Sequence, residues 1–261
     1  MSASSVRQVH AVLGGALNQA VRWRWLPTNP ARDAVPPPRG HTEITAPDPD
    51  AVRELMRVAE QYSPEFGMLV HLGAVLGARR GELCGLRWRD VDVDARTVTI
   101  RTGVVDVAGH LVEKDTKAHA ARTISIDPGT AELLRRHRQS RDDRARAIGV
   151  ELAGDAFVLS EAPDGAAPYR PDKATTAFRT VCRHAGRPGA RLHDLRHFAA
   201  TQLIGAGHDV RTVAGRLGHK DASRTLDIYA GFLPNRDRAA ADDLGRLLTA
   251  DDTASDDRPD A

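Results

Sequence analysis

Apolar residues recur at helical spacing at the start of the chain and predict a helix from Ser4 or Ser5 to about Trp25. The positions on its apolar face are Val6, Val9, Leu13, Leu17 and Val21. One helix cannot bury such a face alone, so we expect residues 1–33 to be the C-terminal remnant of a helical domain. The proline-rich stretch 34–50 is predicted to be an extended linker.

The rest of the chain is predicted to be mainly helical, with a short β section. Helical patterns cover 50–62, 64–76, 80–87, 129–148, 172–185, 193–205, 209–217 and 223–230. Alternating patterns over 97–101, 104–107 and 122–126 predict strands, with a hairpin turn at Gly109-His110 and a further short strand at 155–160. We therefore predict a mainly α chain with a small antiparallel β-sheet, an α+β class, rather than a doubly wound fold.

The C-terminal part of the chain differs in charge from the rest. A last helix is predicted from Pro234-Asn235, with Leu244, Leu247 and Leu248 on one face. That face either packs on its own domain or is donated to a neighbouring subunit. Residues 250–261 hold five Asp and one Arg and are predicted to be an acidic disordered tail. The main domain is accordingly assigned to 51–249.

Charge and cysteine content narrow the classes of function. The net charge of +2 includes −4 from residues 250–261, which leaves +6 on the body of the chain. A basic body is compatible with a polyanionic partner, although a G+C-rich genome also explains an arginine-rich chain. There is no long apolar run and no signal pattern, so we expect a cytoplasmic protein with no membrane partner. Cys84 and Cys182 have no metal-ligand spacing and are expected to be reduced core residues.

Histidine and arginine recur three residues apart, but the bare motif has no weight. Four such pairs occur in a chain with 11 His and 33 Arg, where chance predicts about 1.4, so only the sequence context can choose between them. Only His193 and Arg196 stand in a context that distinguishes them. They share one face of a predicted helix, and Asp194 beside them is placed to cap that helix or to orient a neighbouring donor.

Five motifs come in a fixed order along the chain. They are Gly77-Ala78-Arg79-Arg80-Gly81-Glu82-Leu83, Thr116-Lys117, His193-Asp194-Leu195-Arg196-His197, Leu217-Gly218-His219 and Leu226-Asp227-Ile228-Tyr229. In this order and at these intervals the chain resembles the tyrosine recombinases, or phage integrases, over roughly residues 50–235. Residues 5–38 resemble the end of that family's core-binding domain. The resemblance implies the catalytic-domain fold of the family for 51–249.

The resemblance also implies a role for each motif. Tyr229 is the nucleophile that attacks a DNA phosphate and leaves a 3′-phosphotyrosine with a free 5′-hydroxyl. The ligands of the non-bridging oxygens are Arg79, Arg196 and His219. Lys117 protonates the leaving oxygen, and His193 assists proton transfer.

Further expectations follow for support residues, partners and cofactors. Glu82 and Asp194 are interpreted as structural support. The expected partners are double-stranded DNA, further copies of the chain in a tetramer on DNA, and accessory DNA-bending or directionality proteins. No cofactor and no metal are expected.

The residue types suit this chemistry on physical grounds. Phosphate attack concentrates negative charge on oxygen, which forked guanidinium donors stabilise. A phenol with a pKa of about 10 is almost wholly protonated at neutral pH and needs a base or nearby cations to activate it. A lysine on a turn is a positioned acid on a flexible stem.

Several alternatives compete with these assignments. Arg79 with Glu82 fits an ordinary surface ion pair, and Lys114 competes with Lys117. Tyr62 and Tyr169 compete with Tyr229, but both stand beside proline-containing loops.

Two other hypotheses concern the function itself. His193 and His197 match a zinc-binding His-x-x-x-His helix, although Asp194 stands where a zinc hydrolase has Glu. The second is that the chain is a truncated, non-catalytic DNA-binding remnant of an integrase.

Overall fold

The computed structural model describes residues 1–38, 46–115 and 121–218. The chain divides into one unit of residues 1–45 and a second that begins at residue 46. The division falls within the predicted linker 34–50. Helices predicted over 223–230 and from Pro234-Asn235, with the acidic tail, lie outside the described residues.

The first unit consists of one helix and the turn that follows it. Helix α1 spans Ala3–Arg22, and its N-cap residue Ser2 accepts a hydrogen bond from the Ser5 backbone N–H at 3.2 Å. No residue of α1 is buried. The helix ends three residues earlier than predicted, and Arg24 takes a left-handed conformation with a φ of 60°.

The described part of the second unit contains seven α-helices, and four of them begin at a residue whose side chain caps the first turn. The seven helices are α2 (Pro49–Tyr62), α3 (Pro64–Leu76), α4 (Arg80–Cys84), α5 (Pro128–Ala147), α6 (Pro171–His184), α7 (Asp194–Gly205) and α8 (Val210–Leu217). The side chains of Asp48, Ser63, Asp127 and Asp209 each accept a hydrogen bond from the first turn of their helix. Helix α4 ends at Cys84 rather than near residue 87.

Five short strands form two antiparallel sheets in the described part of the chain. They are β1 (Val91–Asp92), β2 (Thr97–Ile100), β3 (Thr102–Val107), β4 (His110–Asp115) and β5 (Arg122–Ser125). The order is β1-β2-β5 in one sheet, and β3 pairs with β4 in the other. The predicted class, mainly α with a small antiparallel β-sheet, is confirmed.

The structure corrects three details of the β section. Strands β1 and β4 were not predicted. Strand β1 has only two residues, and β4 has no buried side chain among its described residues, so neither shows an alternation of apolar and polar residues. The hairpin turn lies at Ala108-Gly109, where both φ angles are positive, and His110 already belongs to β4. The strand predicted at 155–160 is a single bridge between Arg87 and Phe157.

Helix α3 forms the centre of the second unit. Its sequence is apolar on every face, and Phe66, Leu69, Val70, Leu72 and Leu76 are fully buried. Helices α2, α4 and α7 pack against it. This burial fixes the point at which α3 ends, Gly77, relative to the surrounding helices.

Helix α4 approaches strand β3 through glycines instead of side chains. A Cβ on Gly81 would lie 2.6 Å from the carbonyl oxygen of Val104, and one on Gly85 would lie 3.1 Å from Cα of Gly103. Backbone therefore packs on backbone, which brings Arg79 and Glu82 close to the β3–β4 hairpin.

No helix in the described ranges combines the length and the apolar character that crossing a membrane requires.

We predict that Gly81→Ala lowers the free energy of unfolding by about 1–3 kcal/mol, because the carbonyl of Val104 is backbone and cannot move aside. Gly215 of α8 is the matched control, since a Cβ there meets nothing within 4 Å. Gly215→Ala should raise stability by about 0.5–1 kcal/mol. Urea unfolding of both variants provides the measurement, and a Gly81→Ala protein as stable as the parent contradicts the close approach.

Candidate active site

Arg79 is the N-cap residue of α4, two residues after α3 ends in a left-handed turn at Gly77 with a φ of 58°. Its side chain is half-buried and donates from Nη1 to Oε1 of Glu82 at 2.8 Å. The Arg79 backbone N–H donates to Oε2 of the same carboxylate at 2.9 Å. Glu82 thus both caps the start of α4 and holds the Arg79 side chain.

The Glu82 carboxylate is buried, with 6% of its surface exposed. Burial by itself would raise its pKa, but the hydrogen bonds and charge of Arg122, with those of Arg79, outweigh burial and hold the pKa below its ordinary value. Glu82 is therefore ionised at neutral pH.

Arg196 lies on α7 and is 3% exposed. Its Nη1 donates to the carbonyl oxygen of Gly77 at 2.7 Å. Since Gly77 directly precedes the Ala78-Arg79 pair, the end of α3 brings two arginines from distant segments to one place.

His193 immediately precedes α7 and exposes its ring beside Arg80 and Arg191. Its pKa is lowered, first by the protein around it, which displaces water, and then by the charges of His197 and Arg196, with a smaller contribution from Arg79. A neutral imidazole at pH 7 is able to accept a proton. His193 lies three residues before Arg196 in the sequence and lines the same groove as Arg80, the residue next to Arg79.

Asp194 begins α7 and closes the turn before it. Its Oδ2 accepts a hydrogen bond from the Arg191 backbone N–H at 2.7 Å. The carboxylate therefore fixes the loop that presents His193.

Arg122 was predicted only to begin a strand and not to be a site residue, yet it lies in this cluster. Its Nη2 donates to Oε2 of Glu82 at 2.6 Å, and its Nε donates to the carbonyl oxygen of Arg216 at 3.0 Å. Arg216 in turn donates to the carbonyls of Ser125 and Val75 at 3.0 and 2.9 Å.

An open groove of about 740 Å³ runs from His193 along α6. The arginines that line it are Arg80, Arg179, Arg183 and Arg191. Arg80, a member of the first motif, is exposed and donates to the Thr175 hydroxyl. The others were missed, although the four-residue spacing of Arg179 and Arg183 indicates one helix face.

Three predicted catalytic residues, Lys117, His219 and Tyr229, lie outside the described residues. Gly218, the residue before His219, does lie in the cluster, because its carbonyl oxygen accepts a hydrogen bond from Nη2 of Arg79 at 3.3 Å.

The competing candidates lie elsewhere in the second unit. Lys114 is exposed on β4. Tyr169 is buried near Phe66, with a pKa raised by burial, and Tyr62 stacks edge-on against the same ring at a centroid distance of 5.5 Å. Tyr169 thus belongs to the core, and Tyr62 packs against the edge of the core with half of its surface exposed.

His193 and His197 are in edge-to-face contact, with ring centroids 4.8 Å apart. Among the described residues, no group of three or more His, Cys, Asp or Glu side chains is arranged to hold a metal ion. The positive charge of Arg196 contributes to the lowered pKa of both imidazole rings. These surroundings do not suit the zinc hypothesis.

The model of the Phage integrase family matches residues 48–236, which is more than half of the chain. The chain belongs to the phage integrase family. This membership confirms the predicted family and the predicted function class, site-specific DNA recombination by a DNA breaking and rejoining enzyme.

The chain is 24% identical over 249 residues to the ICEBs1 integrase of Bacillus subtilis (strain 168), covering 95% of this chain and 67% of that protein. It is 33% identical over 187 residues to the tyrosine recombinase XerC of Mycobacterium bovis (strain BCG / Pasteur 1173P2), covering 69% of this chain and 55% of that protein. The chain thus spans about two thirds or less of the length of these relatives.

Two solved structures share the fold. The Tn1549 transposon integrase in complex with transposon right end DNA superimposes with a TM-score of 0.78 at 19% identity, covering 94% of this chain and 80% of that chain. A lambda integrase dimer bound to a COC′ core site gives a TM-score of 0.58 at 18% identity, covering 85% and 74%. The predicted catalytic-domain fold is confirmed.

We predict that Glu82→Gln destabilises the protein by about 3–5 kcal/mol at pH 7, because it leaves buried guanidinium charge without its carboxylate. A carboxylate with a lowered pKa contributes stability above its ordinary pKa of 4.5, and that stability is lost as the pH falls through the lowered value. The difference between the parent and Glu82→Gln should therefore shrink below about pH 4.5. Denaturant unfolding at pH 7 and at successively lower pH tests this, and a pH-independent difference counts against an ionised Glu82.

Proposed function

We propose that residues 51–249 form a catalytic domain that cleaves and rejoins DNA through Tyr229. Arg79 and Arg196, with His219, bind the non-bridging oxygens of the scissile phosphate. Lys117 donates a proton to the leaving oxygen, and His193 assists proton transfer. The observation that carries the proposal is the hydrogen bond from Arg196 to Gly77, which brings Arg196 and Arg79 together at the end of α3, with His193 directly before the helix that carries Arg196.

The proposed step exchanges one phosphate ester for another. A bond forms between the Tyr229 phenol oxygen and phosphorus, and the bond between phosphorus and the 5′ oxygen breaks. The phenol proton passes to a base, and the leaving oxygen takes a proton from Lys117. Rejoining reverses these events with an incoming 5′-hydroxyl, so no nucleotide cofactor is required.

Guanidinium donors supply the stabilisation that this step needs. Negative charge increases on the non-bridging oxygens, and charge-assisted hydrogen bonds to two preorganised arginines strengthen as that charge grows. The anchoring of Arg196 by Gly77 and of Arg79 by Glu82 reduces the reorganisation required during the reaction.

The groove beside His193 suits a DNA backbone. Arg179, Arg183 and Arg191 are exposed, and in the described part of the chain no ion pair involves them. Arginine on such a surface binds phosphates and releases counterions from DNA.

The remaining partners are part of the same proposal. The chain acts on double-stranded DNA as a tetramer in the cytoplasm, assisted by DNA-bending or directionality proteins. The Tn1549 transposon integrase structure contains transposon right end DNA, and the lambda integrase dimer is bound to a core site, which supports a DNA partner.

We predict that Tyr229→Phe abolishes covalent attachment to DNA and leaves DNA binding within about twofold of the parent, because only the nucleophile is removed. Duplexes selected from a randomised pool for binding to the full chain are resynthesised with nicks at successive positions. In such a nicked duplex, cleavage releases a short fragment that bears the new 5′-hydroxyl. Loss of this fragment prevents rejoining, so the covalent adduct accumulates.

Tyr62→Phe is the matched control and should leave the adduct yield unchanged, since Tyr62 packs on Phe66. An undiminished adduct in Tyr229→Phe would falsify the assignment. A parent chain that binds DNA at every nick position without forming an adduct would favour the non-catalytic alternative.

We predict that Arg183→Gln weakens DNA binding similarly for all sequences and reduces the slope of log affinity against log salt by about 1, because one phosphate contact is lost. Arg136→Gln is the control, since Arg136 is exposed on α5 and pairs with Glu132 outside the groove. Equal slopes for the two variants would show that DNA does not follow this groove.

A further inference from the structure

We propose that Arg122 is a positioning residue for the cleavage step, which holds Glu82 and the end of α8 so that the cluster keeps a net positive charge and Arg79 keeps its place for phosphate. This inference rests on the proposed function, in which Arg79 binds the scissile phosphate.

One buried carboxylate is divided between two arginines. Both oxygens of Glu82 accept from Arg122, at 2.6 Å from Nη2 and 3.3 Å from Nη1. The same oxygens accept from the Arg79 side chain and backbone. The side chain of Arg122 is 12% exposed, whereas that of Arg79 is 35% exposed. Arg79 is therefore the member of the pair that a ligand can reach.

The same guanidinium also holds the segment that leads to His219. Nε of Arg122 donates to the carbonyl oxygen of Arg216, in the last turn of α8. Gly218, which ends α8 with a φ of 68°, packs so closely on this side chain that a Cβ there would lie 2.8 Å from Nη1. All three side-chain nitrogens of Arg122 are thus bound to protein or packed against it, and Arg122 acts through other residues.

The charge balance gives Arg122 a function that a single ion pair would not have. Glu82 with Arg79 alone would be a neutral pair, and the attraction of Arg79 for a phosphate would be largely cancelled. With Arg122 included, two positive charges share one negative charge, and the cluster keeps a net charge of +1. The low pKa of Glu82 is consistent with a carboxylate held by more than one cation.

A purely structural role predicts a different result. A structural ion pair, when broken, lowers the folded fraction and affects binding and catalysis alike. A positioning role predicts a slower covalent step at saturating DNA, with DNA affinity retained and a weaker hold on phosphate at Arg79.

A second shared carboxylate in the same unit provides the matched control. Glu65 is buried and lies near both Arg141 and Arg144, as Glu82 does between its two arginines. It stands near the start of α3, twelve residues before Gly77, which is about 18 Å along a helix. Arg144→Met therefore breaks a similar pair far from the cluster.

The experiment compares the full chain with Arg122→Met, Arg122→Lys and Arg144→Met, each assayed at a temperature where circular dichroism shows it folded. The rate of adduct formation at saturating nicked DNA should fall about 100-fold in Arg122→Met, and less in Arg122→Lys, which keeps the charge without the fork. DNA affinity should stay within about twofold in all three variants, and Arg144→Met should react like the parent.

A second measurement does not depend on cleavage. Inorganic phosphate is titrated into each protein while the ¹⁵N NMR signal of Arg79 Nε–H is followed. Phosphate should shift this signal in the parent, and Arg122→Met should bind phosphate about tenfold more weakly, with Arg144→Met unchanged. A parent that shows this pattern without forming an adduct contradicts the proposed function but supports the role of Arg122.

Two results would overturn the inference. One is an Arg79 signal that does not respond to phosphate in the parent or responds equally in Arg122→Met. The other is an Arg122→Met protein that loses no more covalent rate than Arg144→Met.

Discussion

The hydrogen bond from the buried Arg196 guanidinium to the carbonyl oxygen of Gly77 determines where the site forms. A guanidinium has no neutral form at physiological pH, so its burial requires acceptors of fixed geometry. Gly77 provides one because it ends the most buried helix of the unit in a left-handed turn. A side chain there would collide with Leu217 of α8 and approach Ala199 of α7, so three helices meet at this residue. Arg79 lies two residues after Gly77, so the packing that fixes Gly77 also fixes the position of the Arg79 backbone.

Electrostatics explains why the arrangement suits an anion. The cluster contains three arginines, Arg79, Arg122 and Arg196. The carboxylate of Glu82 pairs with Arg79 and Arg122. The lowered pKa of His193 reflects the same surplus of positive charge, after the effect of burial. In the proposed function, a bound phosphate would relieve repulsion among these groups, and the negative charge that develops in the transition state would strengthen this effect. The groove along α6 extends the basic surface away from this point.

Much of this architecture was predictable because it depends on local signals. Asp48 and Ser63 before Pro49 and Pro64 specify helix starts, and the starts of α2 and α3 lie within one residue of those predicted. Arg79, Glu82, Asp194 and Arg196 were identified from ordered motifs, and the structure places all four around the end of α3 or the start of α7. Strand β4 was missed because Leu111 is only partly buried and its neighbour Val112 is exposed, so β4 has no alternation of buried and exposed side chains.

The long-range contacts were not predictable from local pattern. Nothing near Arg122 in the sequence indicates that it shares Glu82, forty residues away, or that it packs on Gly218. The close packing of α4 on β3 depends on glycines whose purpose appears only when two distant backbones meet. Arg179, Arg183 and Arg191 become a surface only when α6 and the loop before α7 are placed side by side.

The most direct test of the central claim is a crystal structure of the full chain with a selected DNA duplex and orthovanadate at the cleavage position. The account predicts that Arg79 and Arg196 both donate hydrogen bonds to the same vanadate, with Arg196 still bonded to Gly77. A vanadate bound to the Tyr229 oxygen but contacted by neither guanidinium would contradict it.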